Sequence, residues 1–139
     1  MPSNLTALLI EDNPHDVDLF ERVAEKAGVT VKTCQSISDA HDIGGVDVCI
    51  LDLNLKETNG IETIETFVRA FPMIPVVVLS HIAHEPIREA CRDRGAHYYL
   101  NKADLTANAL LTAMQGSVLL RADKLVGTIR QHLNELTAQ

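Results

Sequence analysis

Four places in this 139-residue chain carry residue types that can do chemistry, and each follows an apolar run. Glu11-Asp12 comes after 5–10, Asp52 after 46–51, Ser80 after 74–79 and Lys102 after 96–100. Three carboxylates brought together repel one another, so either one is protonated, with a raised pKa, or a cation lies among them. Oxygen donors of this kind suit Mg²⁺ (or Mn²⁺), which takes one or two carboxylates together with waters and phosphate oxygens. A hydroxyl and an ammonium beside that cation would engage the remaining oxygens of a phosphoryl group. Asp52 is then the available nucleophile, a role known for carboxylates that form aspartyl-phosphates.

For these residues to meet, the elements before them must end at one edge. The run 46–51 lacks polar alternation, which reads as a strand buried on both faces, as in a parallel sheet. Asp52 sits where that strand emerges, and 5–10 reads as a second such strand ahead of Glu11-Asp12. Asn13 as N-cap and Pro14 at the first helical position predict a helix start, and Gly28 predicts its end. Residues 29–34 alternate like a strand nearer a sheet edge, and Ser36 or Ser38 can cap a short helix ending by Gly44-Gly45. Helices are predicted over 60–71, over 85–94 and from Leu105 onward, with strands over 74–79 and 96–100 between them. Strict alternation of strands and helices predicts an α/β fold with right-handed crossovers, and five strands are too few for a closed eight-fold barrel. What remains is an open, doubly wound, flavodoxin-like parallel sheet, for which the order 2-1-3-4-5, with its switch point between strands one and three, is the common solution. In that order Glu11 and Asp12 lie beside Asp52, where such sheets bind ligands.

Composition narrows the function classes. Hydrophobic content of 46% and charged content of 22% are those of a folded globular domain of ordinary size. Twelve basic and nineteen acidic residues give a net charge of −7, which argues against nucleic acid or an anionic membrane as a direct partner. There is neither an 18-residue apolar run nor a signal-like N-terminus, so the expected location is cytoplasmic. Cys34, Cys49 and Cys91 are odd in number and widely spaced, and read as reduced packing residues. His81 and His84 lack a third ligand and do not make a metal site.

The site residues sit in stretches that resemble a bacterial response-regulator receiver domain, from Leu5 to about Leu120. The matching stretches are Leu9-Ile10-Glu11-Asp12-Asn13, Leu51-Asp52-Leu53-Asn54-Leu55 with Asn59-Gly60, Val76 to Ser80, and Gly95 to Lys102 with Tyr99 inside it. The resemblance implies a signalling module rather than an enzyme. Asp52 would accept a phosphoryl group from the phosphohistidine of a sensor histidine kinase or a histidine phosphotransfer protein. Asp12, Asp52 and the backbone carbonyl of Asn54 would ligate Mg²⁺, with Glu11 acting through water. Ser80 and Lys102 would contact the phosphoryl group, and Tyr99 would rotate inward as Ser80 moves. The output partner, a separate protein or a fused domain, is unknown.

Several positions depart from the family's pattern. Lys56 stands where proline is usual after the phosphoacceptor, changing local charge and loop rigidity. Ala103 replaces the proline that commonly follows the lysine, often through a cis bond; a cis peptide before alanine costs about 3 kcal/mol. His81 follows Ser80 where a small residue is usual and is expected to narrow access to the site. Asn54 and Ile82 fall at positions that tune phosphoryl lifetime, and apolar Ile82 is not expected to orient an attacking water.

Residues 1–120 are expected to form the receiver domain and 121–139 a C-terminal helical extension. Val118, Ala122, Leu125, Ile129, His132/Leu133 and Leu136 recur at spacings of three and four, a coiled-coil-like seam. That seam fits an overlong last helix packed on its own sheet, a homodimer through the C-terminal helix, or a linker to a further domain. Two enzyme readings are weaker. Glu11-Asp12 would repel a flavin phosphate, and Asp52-Leu53-Asn54 lacks the second carboxylate of an aspartyl-nucleophile phosphatase. A constitutive interaction domain of the same fold, never phosphorylated, is the remaining alternative.

Overall fold

Apolar runs without alternation become the inner strands, and the helices between them close both faces. The computed structural model describes residues 5–55, 58, 60–81 and 85–137. Strands β1 (Thr6–Ile10), β2 (Thr30–Cys34), β3 (Val48–Asp52), β4 (Val76–Ser80) and β5 (Tyr98–Asn101) form one parallel sheet. Its order is β2-β1-β3-β4-β5, as expected. The helices are α1 (Pro14–Ala27), α2 (Ile37–Ala40), α3 (Glu62–Ala70), α4 (Glu85–Asp93) and α5 (Ala107–Thr137). β2, the alternating run, is an edge strand.

Side-chain parity sorts the strand residues between two layers. Leu8, Ile10, Cys49, Leu51, Val76 and Val78 pack with Ile37, Ile64, Phe67 and Cys91 of α2, α3 and α4. Ala7, Leu9, Val48, Ile50, Val77 and Leu79 pack with Phe20 and Ala24 of α1 and Leu110 and Met114 of α5. Cys49 and Cys91 are buried free thiols whose pKa burial pushes up, which suits packing residues.

Local signals set the element ends. The Asn13 side chain accepts from the backbone N–H groups of His15 and Asp16, and Gly28 closes α1 at φ 72°. Ser36, not Ser38, caps α2 through the N–H of Asp39. β5 begins two residues later than the apolar run suggests. Gly95 ends α4 at φ 113°, and His97 N–H bonds to the Val76 carbonyl before the strand proper begins. After β5 the chain makes a 3₁₀ turn, Lys102–Asp104, closed by the Asn101 side chain accepting from Ala103 N–H at 2.9 Å. Among the described residues every peptide bond is trans, including the one before Ala103.

The last helix behaves as two parts. Up to Val118 it packs on the sheet through Leu110, Ala113 and Met114. Beyond Val118 its large apolar side chains (Leu119, Leu120, Leu125, Val126, Ile129, Leu133 and Leu136) are exposed. The reading of a last helix packed along its whole length on its own sheet therefore fails, because the sheet ends before the helix does. The packed part depends on a close approach. A Cβ on Gly116 would lie 2.5 Å from the Tyr98 hydroxyl and 2.7 Å from its ring. Gly116→Ala should therefore destabilise by about 1–2 kcal/mol, the overpacking cost less the helix-propensity gain. In a Tyr98→Ala background the same change should turn mildly stabilising, which denaturant unfolding of the four variants would read.

Candidate functional site

The four chemistry-bearing stretches do meet, at the carboxyl edge of the sheet. Asp52 ends β3 and pairs with Leu79 of β4, while Glu11 directly follows β1 and donates its N–H to the Cys34 carbonyl. Glu11 is 2% exposed, Asp52 4% and Ser80 1%. Asp12 is half-buried at the start of the loop into α1. Carboxylate oxygens of Glu11, Asp12 and Asp52 lie within 4.8 Å of one another.

Among the described residues, one ammonium stands among these acids. Lys102 Nζ donates to Glu11 Oε1 at 2.7 Å and to Asp16 Oδ2 at 2.9 Å. It stands 3.6 Å from Asp52 Oδ1, an ion-pair distance but too long for a hydrogen bond. Asp52 Oδ1 is buried with no hydrogen-bond partner. The other Glu11 oxygen, Oε2, accepts the Asp12 backbone N–H at 3.1 Å.

Burial and neighbouring charge shape the proton affinities. Burial, and then contact with the Asp52 carboxylate, push the Glu11 carboxyl up to about 7, with Lys102 pulling the other way. The protonated-carboxyl alternative therefore has a definite owner. Burial disfavours the Lys102 ammonium, but its bonds to Glu11 and Asp16 outweigh that and raise its pKa. Burial also disfavours the Asp16 carboxylate, and the Lys102 bond outweighs it, so Asp16 titrates below its usual value.

The remaining expected residues fall around this centre. Ser80 ends β4 with the parity of Val76 and Val78, facing the α2–α4 layer. Tyr99 shares that layer, half-buried, with the Arg88 guanidinium carbon 5.3 Å from its ring centroid. Asn54 follows β3 with an exposed side chain. His81 is exposed and lines a pocket of about 190 Å³ with Asp16, Leu19, Leu79, Lys102, Ala103 and Leu105. Lys56, Asn59, Ile82 and His84 lie outside the described residues. Asp16 was not singled out from the sequence. Its signal was its place four residues after Asp12, in the first turn of the helix that leaves the site.

The donor set fits a hard divalent cation: clustered carboxylate oxygens, one of them buried and unpartnered. The fold is thus the open, doubly wound parallel sheet expected, with an acidic cluster at its switch point and a lysine facing it. The comparisons agree. A family model for the response regulator receiver domain matches residues 7–115, and the chain belongs to that family. It is 29% identical over 131 residues to the alginate biosynthesis transcriptional regulatory protein AlgB of Pseudomonas putida, covering 89% of this chain. The match spans only 29% of that relative's length. A response regulator receiver domain from Clostridium thermocellum superposes with a TM-score of 0.71 at 22% identity, over 88% of this chain and 98% of that one. A Burkholderia pseudomallei response regulator, described with a phosphorylated aspartic acid, calcium ion and citrate, gives 0.67 at 20% identity, over 97% of this chain and 85% of that one. At such identities these two likenesses establish the fold.

The Glu11 shift has a consequence for stability. The unfolded chain releases that proton near 4.5, whereas the folded protein keeps it to about 7. Across that window the folded state holds more protons, so cation-free stability falls as pH rises, by on the order of 1–3 kcal/mol. Glu11→Gln keeps an acceptor for Lys102 and supplies an N–H donor toward Asp52. In chelator, its melting temperature relative to wild type should climb between about pH 5 and pH 8; a constant difference would contradict the assignment.

Proposed function

We propose that this chain is a phosphorylation-switched signalling module that takes a phosphoryl group on Asp52. The donor is the phosphohistidine of a sensor histidine kinase or of a histidine phosphotransfer protein. An Asp52 carboxylate oxygen forms the new O–P bond as the P–N bond to the donor imidazole breaks. The electron pair of that bond returns to the imidazole nitrogen. The observation that supports this reading best is Asp52 Oδ1, buried, unpartnered and 3.6 Å from the Lys102 ammonium.

Glu11, Asp12, Asp52 and the Asn54 backbone carbonyl would hold Mg²⁺ or Mn²⁺, Glu11 through a water. The bound cation would shield the incoming phosphoryl charge from these carboxylates. Lys102 supplies an ammonium donor and Ser80 a hydroxyl donor for the phosphoryl oxygens. Ser80 and Tyr99 face the same helical layer, and the family resemblance implies that the Tyr99 ring rotates inward as Ser80 moves to the phosphoryl group. That movement would change the surface of α4, β5 and α5 and its affinity for an output protein or a fused domain, by biasing two pre-existing states.

The test is intact mass after incubation with Mg²⁺ and acetyl phosphate. A single phosphoryl adduct is expected on wild type, absent from Asp52→Asn and lost when Mg²⁺ is chelated. An adduct that survives Asp52→Asn would refute Asp52 as the acceptor.

The exposed residues Leu125, Ile129, Leu133 and Leu136 recur at coiled-coil-like spacings of three and four, and we propose that this seam pairs with a second copy of this chain. Gly127 weakens each helix by about 1 kcal/mol relative to alanine but leaves the spacing intact. Sedimentation should give a dimer for the 139-residue chain and a monomer for Ile129→Glu with Leu133→Glu. A wild-type monomer at tens of micromolar would remove this assignment.

A further inference from the structure

Lys102 is held by two carboxylates that differ in one respect. Glu11 belongs to the acidic cluster with Asp12 and Asp52, whereas Asp16 stands outside it. Both bonds are short, at 2.7 Å to Glu11 and 2.9 Å to Asp16, and the lysine side chain is only 10% exposed. Asp16 lies in the first turn of α1, and its side chain is 17% exposed. An ammonium has three donors. With two engaged by Glu11 and Asp16, the third is available on the Asp52 side, where Oδ1 lies at 3.6 Å.

We propose that Asp16 is a positioning residue for Lys102, the carboxylate that keeps its ammonium aimed at Asp52 when Glu11 turns toward a bound cation. A cation would compete with Lys102 for the Glu11 carboxylate, whose Oε1 already accepts from the ammonium and whose Oε2 accepts from the Asp12 N–H. Asp16 meets no such competition. The backbone offers Lys102 little restraint of its own, since the residue opens a short 3₁₀ turn and its side chain must reach back across the strand ends to β1 and α1. The side-chain bond to Asp16 supplies that restraint.

This role deepens the phosphoacceptor reading, and its test is built so that the two can fail separately. In ¹⁵N-labelled protein the Lys102 ammonium signal, assigned with Lys102→Arg, is read with and without saturating Mg²⁺ and with no phosphoryl donor. Wild type should show a slowly exchanging signal in both conditions. Asp16→Asn should keep it without Mg²⁺, when Glu11 still holds the ammonium, and lose it when Mg²⁺ is added. Asp16→Glu should restore it. The rate of adduct formation from acetyl phosphate should fall on the order of tenfold or more in Asp16→Asn, as for a reacting group displaced by about 1 Å, and recover in Asp16→Glu. An Asp16→Asn signal that persists in Mg²⁺, or an unchanged or faster rate, overturns the role of Asp16. A wild type that takes no phosphoryl group overturns the phosphoacceptor reading instead, and the ammonium signal then upholds or overturns the positioning role by itself.

Discussion

The ammonium of Lys102 is what makes the carboxyl edge of this sheet tolerable. Glu11 and Asp52 are both nearly fully buried, and neighbouring buried carboxylates cannot all ionise without a compensating positive charge. Lys102 meets Glu11 and Asp16 directly and Asp52 at longer range, and Glu11 absorbs the remaining excess by holding its proton up to about 7. The same imbalance makes the edge receptive to a cation. A group that cannot be fully satisfied from within is ready to be satisfied from outside.

Parity along the strands divides the work of the site. Asp52 follows Val48 and Ile50 and shares their side of the sheet, the side of α1 and α5, where Asp16 stands. Ser80 follows Val76 and Val78, and Tyr99 joins them on the opposite side, against the α2–α4 layer. Charge is thus gathered on one side of the strand ends, and the Ser80 hydroxyl and the Tyr99 ring lie on the other.

The last helix links this centre to the rest of the molecule. Its first turns lie against β5 closely enough that Gly116 leaves room for the Tyr98 ring and nothing more. Tyr98 and Tyr99 are adjacent on β5 and point to opposite layers, so the strand that precedes Lys102 is gripped by α5 on one side and faced by Arg88 of α4 on the other. Beyond Val118 the helix leaves the sheet with its apolar seam uncovered.

Local chemistry and hydrophobic period were enough to read the elements from the sequence. Asn13-Pro14 caps and starts α1, Gly28 ends it, and the unbroken apolar runs ahead of Glu11, Asp52 and Ser80 become inner strands of the parallel sheet that the alternation of strands and helices predicts. The identity of the acidic site was legible for the same reason, since each of its residues sits at a strand end that period alone locates. Boundaries set by longer-range bonds were less legible. β5 starts at Tyr98 rather than Ala96 because His97 first pairs its N–H with Val76, twenty-one residues away in the chain. Which carboxylate keeps its proton, and that Asp16 shares Lys102, were decided by tertiary structure alone. Those outcomes depend on burial and on distances of a few ångströms between residues up to 91 positions apart, and no spacing along the chain encodes them.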